Sequence, residues 1–258
     1  MRDLRVTLVQ TMLHWEDASA NRDMFTEKLA SIGATDLIVL PEMFNTGFTM
    51  ESELFAETMD GPTVEWMRGT AKKQGAAIYG SAIIKEGGSC YNRGIFVMPD
   101  GMIVHYDKRH LFRMAGEHMH YSAGSERVVV DLNGWKILLQ VCYDLRFPVF
   151  SRNRNDYDLV IYVANWPEAR RHAWSSLLIA RAIENLSYCI GVNRVGMDGK
   201  GIHYTGDSVV IDPRGSVIGS CGTATECIMQ TTLSHSGILE YRKKFPAHLD
   251  ADDLSLHI

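Results

Sequence analysis

The sequence predicts an α/β fold in which two similar halves pack sheet against sheet with helices outside. Strand-like and helix-like segments alternate along most of the chain, which is typical of α/β layers. The segments DLIV at 36–39 and DLVI at 158–161 each open a buried strand after a helix, and polar residues, Glu42 and Asn165, follow these strands. No linker is long or polar enough to divide the 258 residues, so we expect a single domain over residues 1–258.

The first third of the chain predicts a strand, helix, strand, helix, strand order. Phe25, Leu29 and Ile32 recur at helical spacing, and Gly33 can end that helix. Pro62 is well placed to begin the second helix. The predicted elements are strands over 5–10, 37–40 and 76–84 and helices over 21–32 and 63–74.

The rest of the chain predicts several hairpins, followed again by alternating strands and helices. PDG at 99–101, NG at 133–134 and DPRG at 212–215 each lie between strand-like segments, which predicts hairpins. Strands are predicted over 91–98, 102–107, 128–131, 135–141, 159–163, 188–193, 208–211, 217–219 and 227–233, and helices from about 147 and over 171–186 and 238–244. We expect the tail, residues 246–258, to pack at an interface.

Composition excludes several classes of partner. The chain has 26 basic and 31 acidic residues, so no basic excess favours nucleic acid or anionic lipid. No apolar run approaches the roughly 20 residues of a membrane helix, and residues 1–10 are strand-like. We therefore expect a cytoplasmic protein without nucleic-acid or membrane partners.

The cysteines indicate reduced thiols. Their number is odd and no two are separated by the short gaps typical of zinc or redox pairs, which makes a disulfide framework improbable. They lie at positions 90, 142, 189, 221 and 227.

Three chemically complementary side chains follow strand-like segments directly. Glu42 follows the strand near 37–40, Lys108 follows the strand ending at 107, and Cys142 follows the strand ending at 141. An amide or nitrile carbon is a poor electrophile, and its attack requires a thiolate, a base and a positive group where charge collects. Taken singly, each residue has an ordinary explanation: a buried structural thiol, a solvated carboxylate or a surface amine. Together they predict a catalytic trio.

The segments around the trio resemble a known family. LPEMFNTGF at 40–48, YDKRHLF at 106–112 and VCYDLRFP at 141–148 are similar to the glutamate, lysine and cysteine motifs of the carbon-nitrogen hydrolase, or nitrilase, superfamily. ANWP at 164–167 and RAIEN at 181–185 are most similar to its omega-amidase branch, which hydrolyses the terminal amide of small dicarboxylate monoamides such as 2-oxoglutaramate. The resemblance runs from about residue 4 to 245. It implies a four-layer α-β-β-α sandwich that forms homodimers.

The resemblance also implies a mechanism. Glu42 takes the thiol proton, Cys142 attacks the amide carbon, and Lys108 with the backbone N–H of Tyr143 holds the oxyanion. Ammonia leaves, and Glu42 activates water to hydrolyse the thioester. No metal or organic cofactor is needed.

A second family glutamate, which orients the lysine and the amide, corresponds best to Glu117. The alternative is an exposed loop acid. The neighbouring His118 and His120 could suggest zinc, but no partner at recognisable spacing accompanies them, which favours ordinary loop histidines.

Substrate-binding residues are less well defined. Arg146 is a candidate for a substrate carboxylate, with Arg170, Arg171 and Arg181 as alternatives, although Arg181 could instead pair with Glu184. Aromatic candidates for the pocket wall, which could equally pack in the core or a dimer interface, are Phe44, Phe48, Tyr121 and Trp166, and Asn165 adds a polar candidate.

Two other functions share these features. A nitrilase or N-carbamoyl hydrolase of the same superfamily would carry all three motifs with a differently shaped pocket. A catalytically silent binding module could keep the fold, but it has no physical need for the trio.

Overall fold

The computed structural model describes residues 2–252 and arranges its strands in two large sheets and one small hairpin. The strands are β1 (Leu4–Gln10), β2 (Leu37–Val39), β3 (Ala77–Glu86), β4 (Ser89–Val97), β5 (Ile103–Asp107), β6 (Val129–Leu132), β7 (Trp135–Val141), β8 (Leu159–Ala164), β9 (Tyr188–Asn193), β10 (Val195–Met197), β11 (His203–Thr205), β12 (Val209–Ile211), β13 (Val217–Ser220) and β14 (Cys227–Leu233). The helices are α1 (Ala18–Leu29), α2 (Ser52–Phe55), α3 (Pro62–Gln74), α4 (Pro148–Ser151), α5 (Arg171–Asn185) and α6 (His235–Lys244).

The two large sheets have matching centres. The first has the order β14-β1-β2-β3-β4-β5 and the second β13-β12-β9-β8-β7-β6. In each, three neighbouring strands run parallel, β1-β2-β3 and β7-β8-β9, and antiparallel strands extend them. The central strands β2 and β8 are those whose sequences echo each other. The carboxyl ends of parallel strands lie at one edge of a sheet, which is where Glu42 and Asn165 are found.

Both faces of each large sheet are covered, which gives four layers. Along β3, Ile78 belongs to the cluster that packs against α1 and α3, whereas Tyr79 belongs to the cluster between the sheets. The Tyr79 hydroxyl donates a hydrogen bond across that core to the carbonyl oxygen of Gln140 at 3.1 Å. Trp174 and Leu178 of α5 cover the second sheet. The predicted α-β-β-α sandwich is confirmed. The central strands are continuous apolar segments because both faces of each sheet are buried.

Local capping moves some boundaries. Helix α1 begins at Ala18, earlier than the predicted residue 21, because the Asp17 side chain accepts the N–H of Ala20. The chain turns directly at Cys142 into a short 3₁₀ turn over Cys142–Arg146, ahead of the helix predicted from 147. The hairpin β10–β11 was not predicted, because its strands are only three residues each and β10 contains a glycine.

The chain beyond α6 begins with a 3₁₀ turn over Ala247–Asp250. Residues 253–258, the rest of the tail expected to pack at an interface, lie outside the described residues. Among residues 2–252, no helix is both long and apolar enough to cross a membrane.

Trp135 offers a test of this packing. It is fully buried at the start of β7, and its ring lies 5.1 Å from that of His235 on α6. Trp135→Ala should lower the free energy of unfolding by about 3–5 kcal/mol, because a large cavity opens under α6. Leu54→Ala, at a side chain 73% exposed, is the matched control and should change it by less than about 0.5 kcal/mol. Equal urea midpoints for the two variants would contradict the burial of Trp135 beneath α6.

Candidate active site

Three strand ends bring Glu42, Lys108 and Cys142 together between the two sheets. Glu42 follows β2, Lys108 follows β5 and Cys142 follows β7. All three are buried, with Cys142 the most accessible at 8%. Lys108 Nζ lies 2.8 Å from Glu42 Oε1. The surface-amine and solvated-carboxylate explanations are therefore excluded for these two residues.

Glu117 is the second partner of Lys108. Its Oε1 and Oε2 lie 2.9 and 3.0 Å from Lys108 Nζ, and its side chain is fully buried. Its Oε2 also accepts the backbone N–H of Phe112. The exposed-loop alternative for Glu117 is therefore wrong: the loop folds inward, because the carboxylate satisfies both an ammonium and a backbone donor.

Asn92, on β4, joins the two carboxylates and was missed in the sequence. Its amide nitrogen donates to Glu42 Oε1 at 2.8 Å and to Glu117 Oε1 at 3.2 Å, while its Oδ1 accepts the hydroxyl of Ser81. The sequence signal was available: a polar side chain in an otherwise buried strand requires partners. Asn92 therefore bridges the two carboxylates that contact Lys108.

Asn165 connects the second sheet to Glu42. Its backbone N–H donates to Glu42 Oε2 at 2.8 Å, and its side-chain amide donates to the backbone oxygen of Glu42. The polar residues that follow β2 and β8 thus contact each other directly. The Cys142 sulfur lies 3.9 Å from the backbone oxygen of Asn165, so Asn165 contacts both Glu42 and Cys142.

Cys142 occupies a strained turn. Its φ of 46° lies in the left-handed region, which costs a non-glycine residue about 1–2 kcal/mol. Asp144, fully buried and also missed in the sequence, stabilises the turn by accepting the N–H of Val141 at 3.0 Å. It also accepts the Tyr106 hydroxyl and the N–H of His110, on either side of Lys108. Asp144 therefore fixes the cysteine turn relative to the lysine loop.

Burial and the surrounding charges favour the protonated form of the Cys142 thiol. Burial raises the pKa of Cys142 well above its ordinary value, the negative charge of Glu42 raises it further, and Lys108 opposes the shift. Burial by itself lowers the pKa of Lys108, but the carboxylates of Glu117 and Glu42 outweigh this effect, and its net pKa is raised. Lys108 is accordingly an ammonium. The site holds a thiol, an adjacent base and a cation, which suits attack on an amide.

An open pocket of about 620 Å³, including its mouth, leads to Cys142. It is lined by Phe48, Met50, Lys108, Phe112, Ala115, Cys142, Tyr143, Arg146, Asn165, Trp166, Pro167, Arg170, Asp198, Lys200, Ile202 and Tyr204. Tyr143 is the second residue of the 3₁₀ turn, and the first N–H groups of such a turn lack acceptors within it and can point at a ligand.

Five of the nine candidate substrate-binding residues line this pocket: Phe48, Arg146, Asn165, Trp166 and Arg170. Tyr121 does not line it. Its ring packs in a separate cluster with Met43 and Met50, because its hydroxyl donates to the carbonyl of Thr49 at 2.7 Å.

Apart from Arg170, the remaining arginine and aromatic candidates do not line the pocket. Arg171 pairs with Asp207 outside it. Arg181 is buried and pairs with Glu184, as the sequence spacing favoured. Phe44 packs in the core against the ring of Phe25.

His118 and His120 belong to no metal-ligating group in the structure. Across residues 2–252, no three or more histidine, cysteine, aspartate and glutamate side chains are grouped so as to hold a metal ion.

Comparisons with known proteins identify the family to which the chain belongs. The sequence model of the family described as Carbon-nitrogen hydrolase matches residues 5–243. The chain is 50% identical to Omega-amidase YafV of Escherichia coli (strain K12), over 99% of this chain and 100% of that protein. It is 34% identical to the 2-oxoglutaramate amidase of Bacillus subtilis (strain 168), over 83% and 84%. A solved CN-hydrolase superfamily protein from Xanthomonas campestris, with an arsenic adduct in its active site, superposes with a TM-score of 0.97 at 48% identity over all of both chains.

Glu42→Gln should separate thiol acidity from turnover. The charge of Glu42 raises the pKa of Cys142, so a neutral glutamine should lower that pKa, while amide turnover should fall by about 10²–10⁴ because the base is lost. The pH midpoint of iodoacetamide alkylation, followed by mass spectrometry on the Cys142 peptide, measures the first effect. Glu65→Gln, at an exposed residue of α3, is the control. An alkylation midpoint that stays or rises would contradict the arrangement.

Lys108→Met should reduce kcat by about 10²–10³, because one oxyanion donor is commonly worth this much. Its removal leaves two buried carboxylates without their cation, so thermal unfolding must be measured beside the kinetics. Lys136→Met, at a half-exposed lysine, should leave kcat and the thermal unfolding temperature unchanged. A folded Lys108→Met variant with altered KM and unchanged kcat would contradict the oxyanion role.

Proposed function

The chain belongs to the carbon-nitrogen hydrolase family, and on that premise we propose that it is an omega-amidase. Its substrate is the terminal amide of a small dicarboxylate monoamide such as 2-oxoglutaramate or succinamate, and its products are ammonia and the dicarboxylate. The observation that carries this proposal is one pocket that is lined by Cys142 and Lys108 and also by the two arginines Arg146 and Arg170, with Glu42 and Glu117 paired to Lys108 behind it.

Each member of the cluster has a chemical role in the proposal. Glu42 accepts the proton of Cys142 as the sulfur bonds to the amide carbon. The resulting oxyanion is stabilised by the Lys108 ammonium and the N–H of Tyr143. Glu42 then gives its proton to the departing nitrogen, ammonia leaves, and a thioester remains on Cys142. Glu117 holds Lys108 in place.

The second half-reaction uses the same base. Glu42 takes a proton from water, and the hydroxide oxygen bonds to the thioester carbonyl carbon. The carbon-sulfur bond breaks, the acid is released, and the sulfur of Cys142 regains a proton from Glu42. The N–H of Asn165 holds the second oxygen of Glu42, at 2.8 Å, which supports this repeated use of one carboxylate.

Arg146 and Arg170 suit the substrate carboxylate. The Arg146 guanidinium lies 5.0 Å from the centre of the Trp166 ring, and that of Arg170 lies 4.9 Å from the centre of the Phe112 ring. The rings fix these cations without neutralising them. Among the ion pairs of residues 2–252, neither arginine takes part. A planar guanidinium binds a carboxylate through two parallel hydrogen bonds, which supports a carboxylated substrate.

The remaining alternatives are less well supported. A nitrilase or N-carbamoyl hydrolase would share the cluster, but the most similar relatives described above are amidases by name. In a silent binding module, the desolvation cost of burying an ammonium between two carboxylates would serve no reaction.

The setting of the enzyme is part of the proposal. We expect a homodimer in the cytoplasm with no nucleic-acid or membrane partner. Exposed apolar side chains at Ile183 on α5, at Leu239 on α6 and at Phe245 support an interface there. The net charge of -5 supports the expectation on nucleic acid.

The test is a substrate panel with Cys142→Ala as the blank. Wild-type protein should release ammonia from 2-oxoglutaramate and succinamate, and Cys142→Ala should retain less than about a thousandth of that rate, because the nucleophile is lost. Circular dichroism should show both proteins folded. Turnover confined to nitriles or N-carbamoyl amines would overturn the substrate assignment, and comparable activity of Cys142→Ala would overturn the nucleophile.

A further inference from the structure

We propose that Lys200, at the tip of the β10–β11 hairpin, is a specificity-determining cation that binds the carboxylate at the far end of the substrate. The inference rests on the proposed amidase function and adds a residue and an element to it. It explains why a hairpin outside both large sheets supplies four of the residues that line the pocket: Asp198, Lys200, Ile202 and Tyr204.

The tip of the hairpin is rigidly formed. Asp198 Oδ1 accepts the N–H groups of Lys200 and Ile202 at 2.8 and 2.9 Å, and its Oδ2 accepts the Tyr204 hydroxyl at 2.9 Å. Gly201 takes a φ of 77°, which favours glycine. The Asp198 carboxylate therefore fixes the backbone of the turn that carries Lys200, and both Asp198 oxygens are already hydrogen-bonded.

Trp15 fixes where that tip lies. A Cβ on Gly199 would lie 2.3 Å from the Trp15 ring, so only glycine permits this approach. On the next residue, Lys200 Nζ lies 6.0 Å from the centre of the same ring. An aromatic face attracts an ammonium without neutralising it, which leaves the charge available to a ligand.

Arg194 anchors the base of the hairpin. It is fully buried, donates through Nη2 to the carbonyl of Met197 at 3.1 Å, and places its guanidinium 4.9 Å from the centre of the Tyr204 ring. The N–H of Val195 donates to the carbonyl of Thr11. These contacts hold the hairpin against the body of the protein. The backbone at Lys200 is therefore fixed, and only the lysine side chain is free to adjust to a ligand.

The charges of the pocket distinguish Lys200 from its neighbours. Lys108 is neutralised by two carboxylates at the closed end. Lys200 is exposed and, within residues 2–252, pairs with no carboxylate. Lys200 comes from the β10–β11 hairpin, whereas Arg146 lies in the turn that begins at Cys142, and both line the pocket. A carboxylate entering amide-first would place its charge between these two cations.

A paired-substrate experiment tests the role of Lys200. Succinamate and butyramide have the same chain length and the same amide, and only succinamate has a far carboxylate. Lys200→Met should lower kcat/KM for succinamate by about tenfold, the usual worth of a hydrogen bond to a charged group, and for butyramide by less than about twofold. Lys200→Arg should keep most of the succinamate activity, and Lys136→Met is the surface-charge control.

The outcomes separate the two proposals. Equal losses on both substrates, or an unchanged ratio between them, would overturn the role of Lys200 while wild-type preference for succinamate still supported the amidase. If the wild-type protein itself showed no preference for succinamate over butyramide, the carboxylated substrate class would fail first. A loss restricted to succinamate and recovered by Lys200→Arg supports both.

Discussion

The site depends on one buried ammonium held between two carboxylates. Lys108 lies within 3.0 Å of both Glu42 and Glu117, and none of the three side chains reaches water. Such a cluster is stable only when every charge has a partner and every remaining lone pair has a donor. Asn92 and the N–H of Asn165 provide those donors. In the proposed mechanism, this arrangement fixes the base, Glu42, and the oxyanion donor, Lys108, before any substrate binds.

The cluster exists because two sheets meet. Glu42 and Lys108 extend from the first sheet, whereas Cys142 and Asn165 extend from the second. Neither sheet alone contains a nucleophile with a base, so chemistry requires the packing of one sheet on the other. Asp144 adds a direct connection, since it bonds both to the cysteine turn and to residues flanking Lys108. Stability of the inter-sheet core and alignment of the reacting groups are therefore coupled.

The sequence predicted the layers and the trio because both follow from simple patterns. Buried strands read as apolar runs, and the charged or nucleophilic residue directly after each one must lie at a sheet edge. Asn92 and Asp144 escaped prediction because the partners that tie them to the site, the two glutamates for Asn92 and the residues flanking Lys108 for Asp144, are distant in sequence. Tyr121 was placed in the pocket wall, but the acceptor for its hydroxyl lies elsewhere. The hairpin that carries Lys200 escaped because strands of three residues with glycine leave almost no periodic signal.

The protonated state of Cys142 at rest has a consequence for durability. Peroxide and other oxidants react rapidly with thiolates and slowly with thiols. Burial and the charge of Glu42 both raise the pKa of this sulfur, so the idle protein keeps its sulfur in the less oxidisable form. The reactive anion forms only as the sulfur attacks the amide. In the proposed mechanism, the carboxylate that accepts the thiol proton during turnover also raises the pKa of Cys142 and so disfavours the oxidisable anion between turnovers.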